Sequence, residues 1–234
     1  MTKSPRPKKS GAATRRKPKA APVSENRRPL KTRGAGWAGR LADALGRAKI
    51  SPDMISLASV AVAAIGAWLL LASASAEGGA RAALLVGAAV AIQLRLLCNM
   101  LDGMVAVEHG LGGPHGPIWN ELPDRIADAL FLVAAGYAVG MGWLGWLAAV
   151  LAVLTAYVRE LGRSLGQPAD FSGPMAKPHR MFALTVACLV SAAEPLWGGG
   201  GEMLGIGLVI IAAGTALTVA RRTSHLARGL GGPR

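Results

Sequence analysis

The sequence predicts an all-α integral membrane protein: six transmembrane helices preceded by an amphipathic interfacial helix. Three observations carry that prediction. Hydrophobic residues fill 52% of the 234 positions, and the mean hydropathy is +0.37. Apolar runs near or above the ~20 residues needed to cross a hydrocarbon core recur along the chain. These runs are rich in Ala, Gly, Leu and Val and poor in aromatics, a composition suited to helices packed closely in lipid. Short connections between them leave no length for a separate soluble domain.

Residues 1–34 read as a disordered basic tail. The first 33 positions hold twelve Lys or Arg, one acid and no apolar run. With no hydrophobic region or cleavage signature, the tail is neither a signal nor a transit peptide. A segment of this kind attracts anionic lipid. No aromatic residues are interleaved with its cations, so no nucleic-acid partner is expected.

Residues 35–49 read as a short juxtamembrane helix. Trp37, Leu41, Ala44, Leu45 and Ala48 share one face and Arg40, Asp43 and Arg47 the other, which suits a helix lying in the interface. Residues 50–222 hold the six spans. Pro52 in "ISPDMIS" marks a helix start, and span 1 covers about 54–76. Span 2 covers about 82–107 and ends at the Gly/Pro loop "EHGLGGPHGP". Spans 3 and 4 cover about 118–140 and 144–165. A polar loop, "GQPADFSGPMAKPH", precedes span 5 at about 180–196. The Gly-rich "WGGGGE" then turns the chain into span 6, at about 203–220. Residues 223–234 read as a basic tail. Cys98 and Cys188 fall inside spans and read as small apolar residues, without disulfide or metal spacing.

Lys and Arg placement sets the expected orientation. The connections after spans 1, 3 and 5 contain only Arg81, whereas both tails and the loop after span 4 are basic. The positive-inside rule then puts both termini in the cytoplasm, in a bacterial inner membrane. The cytoplasmic end of span 2 carries Arg95, Asn99 and Asp102 at helical spacing. The start of span 3 carries Asn120, Asp124 and Asp128 at i, i+4 and i+8. Each set shares a helix face, and a short Gly-rich loop joins the two helices. Ionisable residues in a membrane segment are functional candidates. Asp102 could instead pair with Arg95 or Arg125. Carboxylate and carboxamide oxygens without His or Cys suit a hard divalent cation, Mg²⁺ or Mn²⁺, which can neutralise phosphate charge. Small Gly103 and Ala106 beside Asp102 let a ligand approach the backbone.

"NMLDGMVAVEHGLGGPHGPIWNELPD" resembles the signature of the CDP-alcohol phosphotransferases, D-x-x-D-G-x-x-A-R-x8-G-x3-D-x3-D. Asp102, Gly103, Ala106, Gly116 and Asp124 fall on its fixed positions. "SPDMISL", "YVRELG" and "AKPHR" are similar to further family stretches, and the resemblance covers roughly 36–222. The resemblance implies transfer of a phosphatidyl or substituted phosphoryl group from a CDP-activated donor, with CDP-diacylglycerol the foremost candidate. The group passes to an alcohol acceptor with release of CMP, in phospholipid synthesis. It implies metal ligands at Asp102 and Asp124, with Asn99, Asn120 and Asp128 as further candidates, and Asp124 as general base. Gly103, Ala106 and Gly116 shape the nucleotide pocket. A homodimer in contact with membrane lipids is implied on the same ground.

Three positions depart from the signature. Asn99 and Asn120 stand where the family has acids, and Val107 stands where it has Arg. The paired Asn pattern is that of a variant branch. Asn keeps an oxygen ligand and loses a charge, so a two-metal site is weakened. Asp128, one turn on, either contributes a ligand or supports those that do. Arg159, Lys177, His179 and Arg180 read either as positive-inside anchors or as a phosphate-binding patch. His109 and His115 lie in the loop over the site. Against the enzyme stands a catalytically silent scaffold that binds lipid or nucleotide, which the three departures favour. A transporter is disfavoured because the polar positions cluster at one membrane side.

Overall fold

The computed structural model describes residues 36–111 and 115–231. The expected basic tail at 1–34 lies outside the described residues, as do 112–114 of the connecting loop. Among the described residues the fold is helical throughout.

Helix α1, Gly36–Arg47, is amphipathic. Its buried positions are Ala38 and Ala42, which pack on Ile55, Met100, Leu101, Met104 and Val105. Trp37 and Leu41, on the apolar face expected at the interface, are exposed. Two apolar surfaces therefore flank the helix: a small one against the bundle and a larger one left for the interface. Six longer helices follow: α2 (Pro52–Ser73), α3 (Gly78–Glu108), α4 (Gly116–Ala138), α5 (Gly142–Ser164), α6 (Lys177–Ala193) and α7 (Met203–Leu230). A 3-10 turn, Glu194–Trp197, extends α6.

Five of the helices are long and apolar enough to cross a membrane: α2, α3, α5, α6 with its 3-10 turn, and α7. Helix α4 has comparable length, 23 residues. Glu121, Asp124, Arg125 and Asp128 make its first half too polar to read as a span by composition alone. The six helices pack in a ring in the order α2, α3, α6, α7, α5, α4 and back to α2. Helix α4 thus belongs to the bundle, with Asp124 and Asp128 buried and Glu121 partly exposed.

Start signals in the sequence are realised locally. Ser51 caps α2 by accepting from the Met54 N–H at 3.2 Å, with Pro52 at the first helical position. Small residues let the helices approach. A Cβ placed on Gly136 would stand 2.7 Å from Gly145 Cα, and one on Gly145 would stand 2.7 Å from the Leu132 carbonyl oxygen. Helices α4 and α5 therefore meet backbone to backbone.

Two boundaries differ from expectation. Helix α3 begins at Gly78, four residues early, so Arg81 is helical and reaches Glu194 and Ser191 instead of lying in a loop. Residues 223–230 are not a separate tail, because α7 runs on to Leu230. The extension is held laterally. Arg222 donates to the Ser172 and Thr155 carbonyls at 2.9 and 2.8 Å, and His225 lies 3.2 Å from Asp170. Cys98 and Cys188 are free thiols.

Candidate functional site

Helix α3 has 31 residues, about 46 Å at 1.5 Å per residue. That exceeds a ~30 Å hydrocarbon core. Its last turns, with Arg95, Asn99 and Asp102, therefore project toward the polar end of the bundle. Helix α4 starts there, which brings Asn120, Asp124 and Asp128 to the same level. The N-terminus of α6 adds Lys177 and Arg180.

Arg95 is fully buried and ties α3 to α4. Its Nη2 donates to the Asp124 carbonyl at 2.9 Å and to Asp124 Oδ1 at 3.0 Å, and lies 2.9 Å from Asp128 Oδ1. Arg180, also fully buried, comes from α6 to Asp128 Oδ2 at 3.2 Å and to the Met175 carbonyl at 3.0 Å. An isolated charge is costly to bury, and opposite charges with shared hydrogen bonds offset much of that cost. The Arg95–Asp128–Arg180 ladder is the base on which the site stands. Arg95 thus serves the α4 acids, and the alternative pairing of Asp102 with Arg95 is not what the structure shows.

Above this base, Asp124 is bonded through Oδ1 to Arg95 and through Oδ2 to the Lys177 ammonium, with Arg125 at 3.6 Å. The Asn99 side chain bridges the pair. With its amide oriented by the surrounding hydrogen bonds, the nitrogen donates to Asp124 Oδ1 at 2.9 Å and the oxygen accepts from Lys177 Nζ at 2.6 Å. Asp102 accepts from Ser56 Oγ of α2 at 2.6 Å. Its Oδ1 is buried without a well-formed hydrogen bond.

A cavity of about 640 Å³ opens beside these groups. Its wall includes Asn99, Gly103, Asn120, Asp124, Arg159, Lys177 and Arg180, with Trp37 of α1 at its rim. Asp102, next to Gly103 on the same helix, is buried and does not line the cavity. Arg159 sits at the mouth, bonded to Glu121 at 2.7 Å and Glu160 at 2.9 Å, and stacks over Phe171 at 5.5 Å.

Other candidates fall elsewhere. Asp128 is buried between its two arginines and does not line the cavity, nor do Ala106 and Gly116. Arg180 is not a surface anchor, because Asp128 draws it inside. His109 lies 3.2 Å from Asp43 and ties α1 to α3; His115 is exposed; His179 is exposed, with Nδ1 3.0 Å from the Pro174 carbonyl. The sequence reading passed over Ser56, Glu121 and Arg222. Ser56 had a signal, since it closes the "SPDMIS" stretch.

A cavity of about 770 Å³ at the opposite end of the bundle surrounds Arg81 and Glu202. Glu194, buried beside it, is satisfied by Ser191 at 2.6 Å and the Met203 N–H at 3.0 Å.

Carboxylate and carboxamide oxygens suit Mg²⁺ or Mn²⁺, and the buried Asp102 Oδ1 has a lone pair to give. Among the described residues no three acids, histidines or cysteines converge. The residues fit one small hard cation whose remaining ligands come from carboxamide, water or substrate oxygens.

No family model matches the chain. Over 154 residues the chain is 30% identical to the archaetidylinositol phosphate synthase of Aeropyrum pernix, covering 64% of this chain and 73% of that protein. Over 192 residues it is 26% identical to the phosphatidylinositol phosphate synthase of Mycobacteroides abscessus, covering 78% and 80%. A bifunctional IPC transferase and DIPP synthase of Rubrobacter xylanophilus is 33% identical over 154 residues. The match covers 61% of this chain and about a third, 32%, of that longer protein. The fold is similar to that of Mycobacterium tuberculosis phosphatidylinositol phosphate synthase. The structure of that enzyme with CDP-DAG bound gives a TM-score of 0.69 at 19% identity, over 82% of this chain and 94% of that one. Its complex with manganese and citrate gives 0.68 at 19% identity, over 81% and 88%.

Proposed function

The chain belongs to the CDP-alcohol phosphotransferase family, and on that premise we propose that it transfers a phosphatidyl or substituted phosphoryl group from CDP-diacylglycerol, or a related CDP-activated lipid, to an alcohol in phospholipid synthesis. One observation carries the reading. Asp102, Asp124 and Asn99 converge beside a polar, cation-lined cavity at one end of an apolar bundle, where a lipid tail and a soluble headgroup can both reach.

In the proposed reaction the alcohol oxygen forms a bond to the donor's lipid-side phosphorus. The diphosphate bridge breaks, and CMP leaves with the bond electrons. Asp124 takes the hydroxyl proton. A carboxylate offers about four lone-pair sites, so its bonds to Arg95 and Lys177 leave room for the acceptor. Asn99 and Arg95 fix the carboxylate's orientation, and Ser56 fixes that of Asp102. Catalysis by such a site rests on positioning and electrostatics. Asp102 and Asp124, with a carboxamide of Asn99 or Asn120, would hold one Mg²⁺ or Mn²⁺, which supplies charge neutralisation at the diphosphate. Asp128 acts through Arg95 and Arg180 as a positioning residue.

The relatives' names point to a phosphorylated polyol as acceptor, and the Arg159, Lys177 and Arg180 side of the cavity is the place for its phosphate. Cytoplasmic termini and a homodimer complete the proposal. They rest on the distribution of basic residues and on the family. The silent-scaffold reading keeps one specific observation, that both oxygens of Asp124 are already bonded to cations. Thermal stability of the purified protein decides between enzyme-like and unrelated binding, because a ligand that binds only the folded state raises it. CDP-diacylglycerol with Mn²⁺ raises the melting temperature of the wild type and fails to do so in Asp124→Ala. Absence of any shift at saturating donor with either metal overturns the proposal.

A further inference from the structure

We propose that the ammonium of Lys177 is a resident cation of the site, standing where a metal ion would otherwise bridge Asp124 and Asn99, so that the site admits at most one divalent ion, on the Asp102 side. The inference deepens the functional reading above and rests on it for the identity of the site.

Lys177 opens α6 directly after Ala176, whose extended backbone (φ −66°, ψ 161°) turns the chain into the helix. Its side chain is largely buried, 17% exposed, and lines the cavity. There the ammonium meets two oxygens that a hard cation would take, Asp124 Oδ2 and the Asn99 carboxamide oxygen. A lysine ammonium is a compact point charge with three donors, so it replaces an ion's charge and part of its coordination.

Charge accounting agrees. Of the α3 and α4 positions that match the family signature, two are carboxylates, Asp102 and Asp124, and two are neutral amides, Asn99 and Asn120; Asp124 and both amides line the cavity, and Asp102 does not. Asp124 is already matched by Lys177 and Arg95, with Arg125 close by. A second divalent ion between Asp124 and Asn99 would meet three cations and the two oxygens that Lys177 already holds. Asp102 differs, since one oxygen is held by Ser56 and the other is buried without a well-formed bond. That asymmetry assigns the lysine to one half of the site and the exchangeable ion to the other. It also links Asn99 to Lys177: an aspartate at 99 would add the charge that calls for a second ion, and the lysine makes that charge unnecessary.

The test counts ions and needs no substrate. Mn²⁺ is titrated into the purified full-length protein in lipid nanodiscs, and free Mn²⁺ is read by electron paramagnetic resonance. At most one ion per chain is expected in the wild type and in Lys177→Arg. Lys177→Met binds Mn²⁺ at least tenfold more tightly, and Lys177→Met combined with Asn99→Asp binds two. Two ions in the wild type, or affinity unchanged in Lys177→Met, overturns the inference. A lysine that served only as a phosphate anchor would produce that second result. Should Lys177→Met fail to fold, Lys177→Gln carries the same expectation. The two readings fail separately. Correct ion counts without CMP release remove the proposed reaction and leave the lysine's role; CMP release with two ions in the wild type does the reverse.

Discussion

Asp124 carries the most weight at the scale of single residues, because it joins the buried arginine ladder below to the cavity above. Asp124→Asn keeps the shape and removes the proton acceptor. Its CMP release is expected to fall about 10²–10⁴-fold, the usual span for loss of a general base, with donor binding retained in a thermal shift. Arg95 offers the complementary experiment. Arg95→Met leaves Asp128 facing only Arg180 and strips one partner from Asp124. Breaking a buried pair costs about 3–5 kcal/mol, so the variant is expected to unfold well below the wild type in a melting assay. A near-wild-type melting temperature would show that the ladder is not a structural base. Much of this was visible in the sequence: the i+4 and i+3 steps of Arg95, Asn99 and Asp102, and the i+4 steps on α4, put the right residues on facing surfaces. Partners were not visible. Arg95 chooses Asp128 across 33 residues, Lys177 chooses Asp124 across 53, and no local pattern encodes distances set by the packing of three helices.

Among the helices, the α4–α5 contact and the end of α7 are the informative elements. Gly136 and Gly145 touch through backbone, where a new side chain has nothing flexible to push aside. Gly145→Val is expected to destabilise the bundle by about 1–3 kcal/mol, the usual range for overpacking, read as a lower melting temperature. Gly79→Ala, at a site with open space around it, should change little. The α7 extension supplies a pH dependence. Partial burial pushes the Asp170 carboxyl up. Hydrogen bonds from Ser172 and His225 and the Arg222 charge outweigh that and hold it below its ordinary value. A depressed folded-state pKa contributes stability that is fully present above the unfolded value, about 3.9, and is lost as pH falls through the folded value. Amide exchange over 223–230 should therefore stay slow at neutral pH and quicken only below about pH 4. Asp170→Asn should exchange faster already at neutral pH, with the difference vanishing in acid. Equal exchange at neutral pH would show that the Asp170 carboxylate does not hold the extension. Composition suggested a tail at 223–234 because its cations look solvated. What fixes it as helix is lateral hydrogen bonding to the Ser172 and Thr155 carbonyls, which a reading along one segment does not contain.

For the whole molecule, the six-helix ring explains why a polar site is tolerated in so apolar a chain. Helix α4 is too charged to read as a span by itself, and the ring turns Asp124 and Asp128 onto α3 and α6. The sequence conveyed the helical class and the long apolar segments. Hydropathy and turn residues are local properties and carry that information. The ring order and the second, unused cavity depended on which small-residue faces fit together.

The central claim is that this arrangement moves a phosphatidyl group. The most direct measurement is release of CMP from CDP-diacylglycerol by the purified protein in lipid, with a panel of alcohols and phosphorylated polyols as acceptors, with Mg²⁺ or Mn²⁺ and with chelator. CMP should appear only with donor, acceptor and metal together, and Asp102→Ala and Asp124→Asn should both suppress it. CMP release that is unchanged in Asp124→Asn, or none with any acceptor and either metal in a protein that binds the donor, would contradict the account and leave the silent scaffold in its place.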